Sequence, residues 1–211
     1  MPKLFRSVVT SLLLAAGLAT AAIDAIAAPI EAPAGIYVLE KTHASLHWRI
    51  RHIGLSNYTA RFKRFDATIE FDPVNLARSS VQATIDIASV ETDLVTPDGR
   101  DFNAELRSEP FFNIAKYSQA TFNSTQVQVL GGNSMRVQGE LTMLGVTRPI
   151  TFQVTLNGSM KSHPFAKVPA LGVSARGSVV RTAYGLNPPP IQEGVGDQVD
   201  LVIEAEFLKK S

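Results

Sequence analysis

The sequence predicts an all-β fold: one antiparallel domain of about eight strands with a single short helix in a long connection. Three observations carry this. From Ala44 to Phe207 apolar residues recur at every second position in some nine short runs, the period of a sheet with one apolar face. Turn-forming Gly, Pro, Asn and Asp separate those runs. Helical spacing is confined to one segment near Arg100–Arg107, too little helix to cover a parallel sheet, so a barrel or a sandwich is expected.

The strands follow in order. Gly35–Glu40 reads as a first strand and Ala44–His52 as a second, in which Ala44, Leu46, Trp48 and Ile50 share one side and Ser45, His47, Arg49 and Arg51 the other. After a turn at Ile53–Asn57, Tyr58–Asp72 forms a long strand whose apolar positions jump parity between Phe62 and Phe65, so a bulge is expected at Lys63-Arg64. At ~3.3 Å per residue that strand would run for roughly 45 Å. Asp72-Pro73-Val74-Asn75 turns the chain into a strand with Val81, Ala83, Ile85 and Ile87 on one face. Ser89–Tyr117 breaks the rhythm and is too long for a hairpin. It holds the helix candidate, a stop at Ser108-Glu109-Pro110, and the aromatic pair Phe111-Phe112, suited to plugging or covering an apolar opening. Strands resume at Gln119–Val129 and Met135–Met143, joined through Gly131-Gly132-Asn133, then at Arg148–Leu156, Leu171–Arg181 and Gln198–Phe207.

The first 28 residues read differently. Met1–Arg6 is basic, Val8–Ala22 is almost wholly apolar or small, and Ala25-Ile26-Ala27 is an A-x-A exit with a second cut available after Ala28. The run ends at Asp24, short of the ~20 residues of a spanning helix, so a cleaved secretory signal over residues 1–28 is expected rather than a membrane anchor. Residues 29–211 then form the folded domain, after a loose Ala/Pro linker. The chain has 20 Lys+Arg and 19 Asp+Glu; without Lys3, Arg6 and Asp24 it is formally neutral, and it has no basic cluster of the kind nucleic acid demands. It has no cysteine, hence no disulfide frame, thiolate or lipid-bearing thiol. About 180 residues suffice to bury a core without staples. Export without cysteine points to the periplasm, and the oligomeric state, a homodimer included, is left open.

The inward rows are unusual in their small members: Ala67, Ala83, Ala120, Gly139, Ala175, Gly177 and Ala205 stand among bulky neighbours. Alternating sizes can fill a tapering barrel, but small residues in a tall one also leave an elongated lumen. The expected lining is Leu46, Trp48, Ile50, Phe62, Phe65, Ile69, Phe71, Ala83, Ile85, Phe111, Phe112, Phe122, Gly139, Leu141, Phe152 and Val154. Such a wall suits a long aliphatic chain. A polar head at the mouth would meet side chains such as Arg181, Tyr184 or Asn187.

Several ordered motifs then carry a resemblance. Thr42–His52, Gly54-Leu55-Ser56 and Arg61-Phe62 open it; Arg100-Asp101, Leu106-Arg107-Ser108, Pro110-Phe111-Phe112, Tyr117 and Ala120-Thr121-Phe122 continue it. Gly139–Ile150, Tyr184-Gly185-Leu186 and Val195–Val199 complete it. Together they resemble the YceI family across about Gly35–Phe207. Departures are Lys41, where an acidic residue is common, Ala60, where glycine usually precedes the Arg-Phe pair, and Leu144, where histidine is frequent. The resemblance implies an extended lipocalin-like barrel, exported to the periplasm, whose pore holds a polyisoprenoid or similar amphiphilic lipid.

Chemistry beyond burial finds little support in the residues. His43 and His47 on one extended strand would stand about 13 Å apart, too far to share an ion that each nitrogen must approach to ~2.1 Å, and His52 has the opposite parity. No Gly-x-Ser-x-Gly elbow activates a serine. Arg100-Asp101 fits a helix entry, and Gly131-Gly132 a hairpin tip rather than a phosphate cradle. The expectation is a non-enzymatic lipid carrier without metal or cofactor. Its rivals are an enzyme acting on such a lipid and an interaction module with a filled barrel.

Overall fold

The computed structural model describes residues 29–191 and 193–210; the expected signal segment, residues 1–28, lies outside them. The strands are β1 (Gly35–His52), β2 (Ser56–Phe62), β3 (Phe65–Phe71), β4 (Ser80–Asp86), β5 (Val90–Glu91), β6 (Gln119–Gly131), β7 (Ser134–Met143), β8 (Val146–Met160), β9 (Ala170–Val180) and β10 (Val195–Lys209), with helix α1 (Phe102–Arg107) between β5 and β6. They form one antiparallel sheet in the order β10-β9-β8-β7-β6-β4-β3-β1-β2-β5. β10 returns to pair with β1 from Tyr37–Lys209 to His52–Val195 and closes the sheet into a barrel.

The nine strands read between Gly35 and Phe207 make eight staves because the first two are one strand. Glu40 pairs with Glu206 and Ala44 with Ala205, so Lys41, Thr42 and His43 bulge out of the β1–β10 ladder. The odd number of extra residues switches the inward parity from Tyr37 and Leu39 to Ala44, Leu46, Trp48 and Ile50. Glu40 organises the bulge: its carboxylate accepts from Thr42 N (3.2 Å) and His43 N (2.9 Å), with Thr42 Oγ1 at 2.8 Å and His43 Nδ1 at 2.6 Å. His43 therefore lies in the bulge, outside the β1–β10 pairing.

The parity jump at Lys63-Arg64 is found as the break between β2 and β3, both of which pair with β1. The adjacent stave breaks at the same height, between β4 and β5. Buried Ser89 joins the two breaks, accepting from Arg64 N (3.0 Å) and donating to the Asp86 carbonyl (2.6 Å), while Lys63 N donates to the Ser89 carbonyl (3.0 Å). Three neighbouring staves thus bend along one line, where Glu40 and Ser89 take up the backbone donors of Thr42, His43 and Arg64.

The long connection returns over the barrel end. Asp101 caps α1, accepting from Ala104 N at 2.9 Å, as its place in the sequence predicts. The segment is tied down by side chains: Asn103 Oδ1 accepts from Thr92 N (2.9 Å) and Oγ1 (2.7 Å), Asn103 Nδ2 donates to Glu91 (2.7 Å), and Arg107 Nε donates to the Ala88 carbonyl (3.0 Å). The Ala/Pro linker is also not loose. Glu31 N (2.7 Å) and Ala32 N (3.3 Å) both donate to Ser159 Oγ, Ala32 is buried, and the Tyr37 hydroxyl donates to the Pro33 carbonyl at 2.7 Å, so the linker covers the opposite barrel end.

Two of the small inward residues serve packing. A side chain on Gly139 would overlap the Phe122 ring and the Asn123 carbonyl oxygen (2.5 Å), and one on Gly177 would meet the Phe152 ring at 2.7 Å. Phe122 and Phe152 fill those spaces and stack edge to face at 5.3 Å. Gly139 is therefore corrected from lining residue to the seat of Phe122. Gly139→Ala should cost about 1–3 kcal/mol in chemical denaturation, with overpacking as the cause, whereas Gly158→Ala, where an added carbon meets nothing within 4 Å, should stay close to the parent.

The Glu40 carboxyl is lowered from 4.5 to about 2, first by the Thr42 side-chain hydrogen bond, and Glu91 likewise to about 2, first by Lys63 and then by Asn103. A carboxylate lowered in the folded state adds stability above its unfolded value and loses it as the pH falls through its folded one. Unfolding midpoints should therefore decline between pH 4.5 and about 2, and Glu40→Gln with Glu91→Gln should flatten that slope in urea titrations across this range.

Candidate functional site

The barrel interior holds two chambers stacked along its axis. The deep one, of 190 Å³, lies between β3, β4, β6–β10 and Leu46 of β1. Among its walls are Leu46, Phe65, Ile69, Phe71, Ile85, Phe122, Leu141, Phe152 and Val154. Ala67, Ala83, Ala175 and Ala205 also line it. These alanines provide the space expected of the small inward residues; Ala67 and Ala83 face each other across β3 and β4. Every residue of this lining is buried or half-buried, and only Ser79 and Ser80 are polar. The walls offer a tail dispersion contacts and almost no hydrogen bonds.

The upper chamber, of 610 Å³, falls within the size range of small-molecule sites. Trp48, Ile50 and Phe62 line it from the barrel, and Phe102, Leu106, Phe111 and Phe112 roof it from the long connection. Phe111 and Phe112 are both buried, with Phe112 edge-on to Phe62 at 5.9 Å, so the pair packs as part of the wall. Leu201 belongs to both chambers and marks their junction. Of the sixteen residues expected in the lining, all but Gly139 stand on one chamber or the other.

The titratable residues of the two linings all stand at the upper chamber: His52, Tyr58, Arg100, Glu105 and Arg181. Its lining includes the exposed His52, Leu94 and Arg100, whereas the deep chamber has no exposed member among the described residues and the linker covers that end. The mouth is therefore at the upper end. Arg100 pairs with Glu105 at 3.2 Å on the rim, and the Tyr58 hydroxyl donates to the Thr92 carbonyl at 3.0 Å.

Arg181 is only 3% exposed. Its Nε donates to the Gly196 carbonyl (2.9 Å), Nη1 to the Leu186 carbonyl (2.8 Å) and Asn187 Oδ1 (3.1 Å), and Nη2 to the Ile191 (3.0 Å) and Val195 (3.2 Å) carbonyls. The fork thus gathers the 186–196 loop, whose Leu186 and Ile191 complete the chamber wall. Of the three side chains expected at a polar head, only Arg181 lines the chamber. Asn187 accepts from it, and Tyr184 is buried outside either lining, its hydroxyl pKa raised by burial. Parity carries the signal for Arg181, because Leu171, Val173, Ala175, Gly177 and Val179 precede it on the inward row of β9. Tyr58, Phe102, Leu106 and Leu201 were missed; Tyr58 shares parity with Phe62, but the helix residues had no strand pattern to place them.

The three N-terminal histidines stand in different surroundings: His43 against Glu40 in the bulge, His47 on the outer face and His52 at the upper rim. Among the described residues, no three His, Asp, Glu or Cys side chains cluster as a metal site.

Comparison with known proteins agrees with this architecture. A Burkholderia cenocepacia structure, BcnA, superposes with a TM-score of 0.68 at 23% identity, covering 80% of this chain and 98% of its own. A polyisoprenoid binding domain from Saccharophagus degradans superposes at 0.59 and 18% identity, covering 82% and 98%. In sequence, Protein YceI of Escherichia coli is 36% identical over 174 residues, 81% of this chain and 84% of that protein. The YceI-like domain pattern matches residues 37–207, from the first buried tyrosine of β1 to the inward Phe207 of β10, and the chain belongs to that family.

Proposed function

We propose that this protein binds and carries a long-chain amphiphilic lipid, of the polyisoprenoid or quinone-like kind, with its tail in the deep chamber and its polar end in the upper one. The observation that carries this reading is the axial division of chemistry: an apolar chamber continues, past Leu201, into a wider one that holds the charged groups and the exposed rim. Burial supplies the affinity, at about 0.8 kcal/mol per methylene removed from water. The Saccharophagus barrel, described as polyisoprenoid binding, supports the same ligand class. A carrier rather than a catalyst is favoured because the tail chamber presents aliphatic and aromatic groups, and the Glu105 carboxylate at the mouth is occupied by Arg100.

The protein carries its own reporter, since its single tryptophan, Trp48, lines the upper chamber. Addition of a prenyl quinone should quench Trp48 emission saturably, and organic extraction of natively purified protein followed by mass spectrometry should yield a long-chain lipid. An unquenched Trp48 together with an empty extract would overturn the reading. Ala83→Phe and Ala175→Phe, which place bulk in the deep chamber, should weaken long-tailed ligands at least about tenfold if roughly two methylenes' worth of burial is lost, and leave short-tailed ones nearly unchanged.

We further propose export to the periplasm, with residues 1–28 removed. Intact mass of protein recovered from a periplasmic fraction should place the new N-terminus after Ala27 or Ala28; a full-length mass in that fraction would count against it.

A further inference from the structure

A carried lipid must reach the barrel from a phase in which it dissolves, and the upper rim is built for contact with one. Two loops flank the opening there. In the turn between β1 and β2, Leu55 N donates to the His52 carbonyl (3.0 Å), and Ile53 and Gly54 between them take positive φ angles of 41° and 73°. Two-residue turns of this kind favour asparagine before glycine, because a branched side chain is costly in the left-handed region. Ile53 holds that position nonetheless, 57% exposed, and Leu55 beside it is 84% exposed. The second loop leaves β5 alongside β2, held there by the Tyr58 hydroxyl on the Thr92 carbonyl (3.0 Å) and by Arg61 on Asp93 (3.1 Å). Because β5 is antiparallel to β2, its continuation heads towards the β1–β2 turn, carrying Leu94 (42% exposed) and Val95 (90% exposed).

Leu94 joins this rim to the interior, since it lines the upper chamber and also meets solvent. Apolar surface therefore runs from the chamber wall over the rim to the tips of both loops. A contiguous apolar patch edged by polar residues marks a contact with protein or membrane. Here the aliphatic side chains stand on convex loop tips, a shape that enters a lipid layer and offers no groove to a peptide or helix. Arg51 stands behind the tips. It is exposed, donates to the Gly54 carbonyl (2.9 Å) and has no carboxylate partner among the described residues. A cation at that depth complements anionic headgroups.

From these observations we infer that the upper rim docks on an anionic lipid bilayer, with Ile53, Leu55 and Val95 entering the interface, so that cargo passes over Leu94 without crossing water. The opposite end also exposes apolar side chains, Val74 and Phe165, but neither lines a chamber and the linker covers that end.

The inference rests on the carrier reading, so its test uses two routes of delivery. A prenyl quinone is supplied either as a cyclodextrin complex or within vesicles of phosphatidylcholine and phosphatidylglycerol, and quenching of Trp48 in the intact protein is followed. From cyclodextrin, the parent and the double variant Leu55→Asp, Val95→Asp should bind alike, because neither position lines a chamber. A parent left unquenched by this route sinks the carrier reading. From vesicles, the parent's transfer rate should rise in proportion to vesicle concentration. The double variant should be at least about tenfold slower, the scale of withholding two aliphatic side chains from an apolar phase. A rate independent of vesicle concentration, or a double variant as fast as the parent, would overturn docking and leave carriage intact. Phe165→Asp should match the parent; a loss equal to the double variant's would put the contact at the other end and overturn the inference as well. If the parent instead sediments as a dimer that the double variant disperses, the rim is a contact between copies and the bilayer is the wrong partner.

Discussion

Closure of the β1–β10 ladder is the constraint on which the rest of this protein depends. Once the sheet is a cylinder, each inward position faces other inward positions, with no second layer to share the burden. Any polar group pointing in must bring partners or lie where water reaches. The deep chamber obeys by being apolar almost throughout. The upper one obeys by geometry: Glu105 and Arg100 pair at the mouth, and Arg181 draws a loop of five oxygens around itself. Trp48 Nε1 is the buried side-chain donor that the described residues leave unanswered.

A cylinder must also bend, and this one bends where side chains stand in for the ladder. Glu40 holds three residues out of β1, and Ser89 stitches β2–β3 to β4–β5. Each device shifts the inward parity while keeping backbone groups paired. The shift is what lets Leu39 and Leu46, seven positions apart, both point inward. The shape of the lumen is therefore set as much by two polar residues on the bend line as by the apolar residues lining it.

Much of this was readable in advance because period-two alternation is a strong signal when one face is buried. The Lys63-Arg64 break announced itself as a change of parity between Phe62 and Phe65, and fifteen of the sixteen expected lining residues stand on a chamber wall. What escaped was pairwise or three-dimensional. Gly139 looks like vacant space along β7, and only its cross-strand neighbourhood shows that Phe122 occupies the room. The continuity of β1 was hidden because the bulge is held by the Glu40 carboxylate, a bond that hydropathy does not register. The linker reads as unstructured from its alanines and prolines, yet Ser159 on β8 fixes it through two backbone donors. The roofing of the upper chamber by α1 depends on Asn103 and Arg107 reaching back to Thr92 and Ala88, contacts between segments with no shared periodicity.

The pairing of Tyr37 with Lys209 joins nearly opposite ends of the described chain. Contacts so distant in sequence bring a large loop-closure entropy and are associated with slow folding. Until β10 is in place the barrel is an open sheet, with its greasy concave face and two raw edges exposed to other chains. The same seam that later shelters a ligand thus makes the nascent protein vulnerable to aggregation, and its yield depends on how quickly the last strand finds the first.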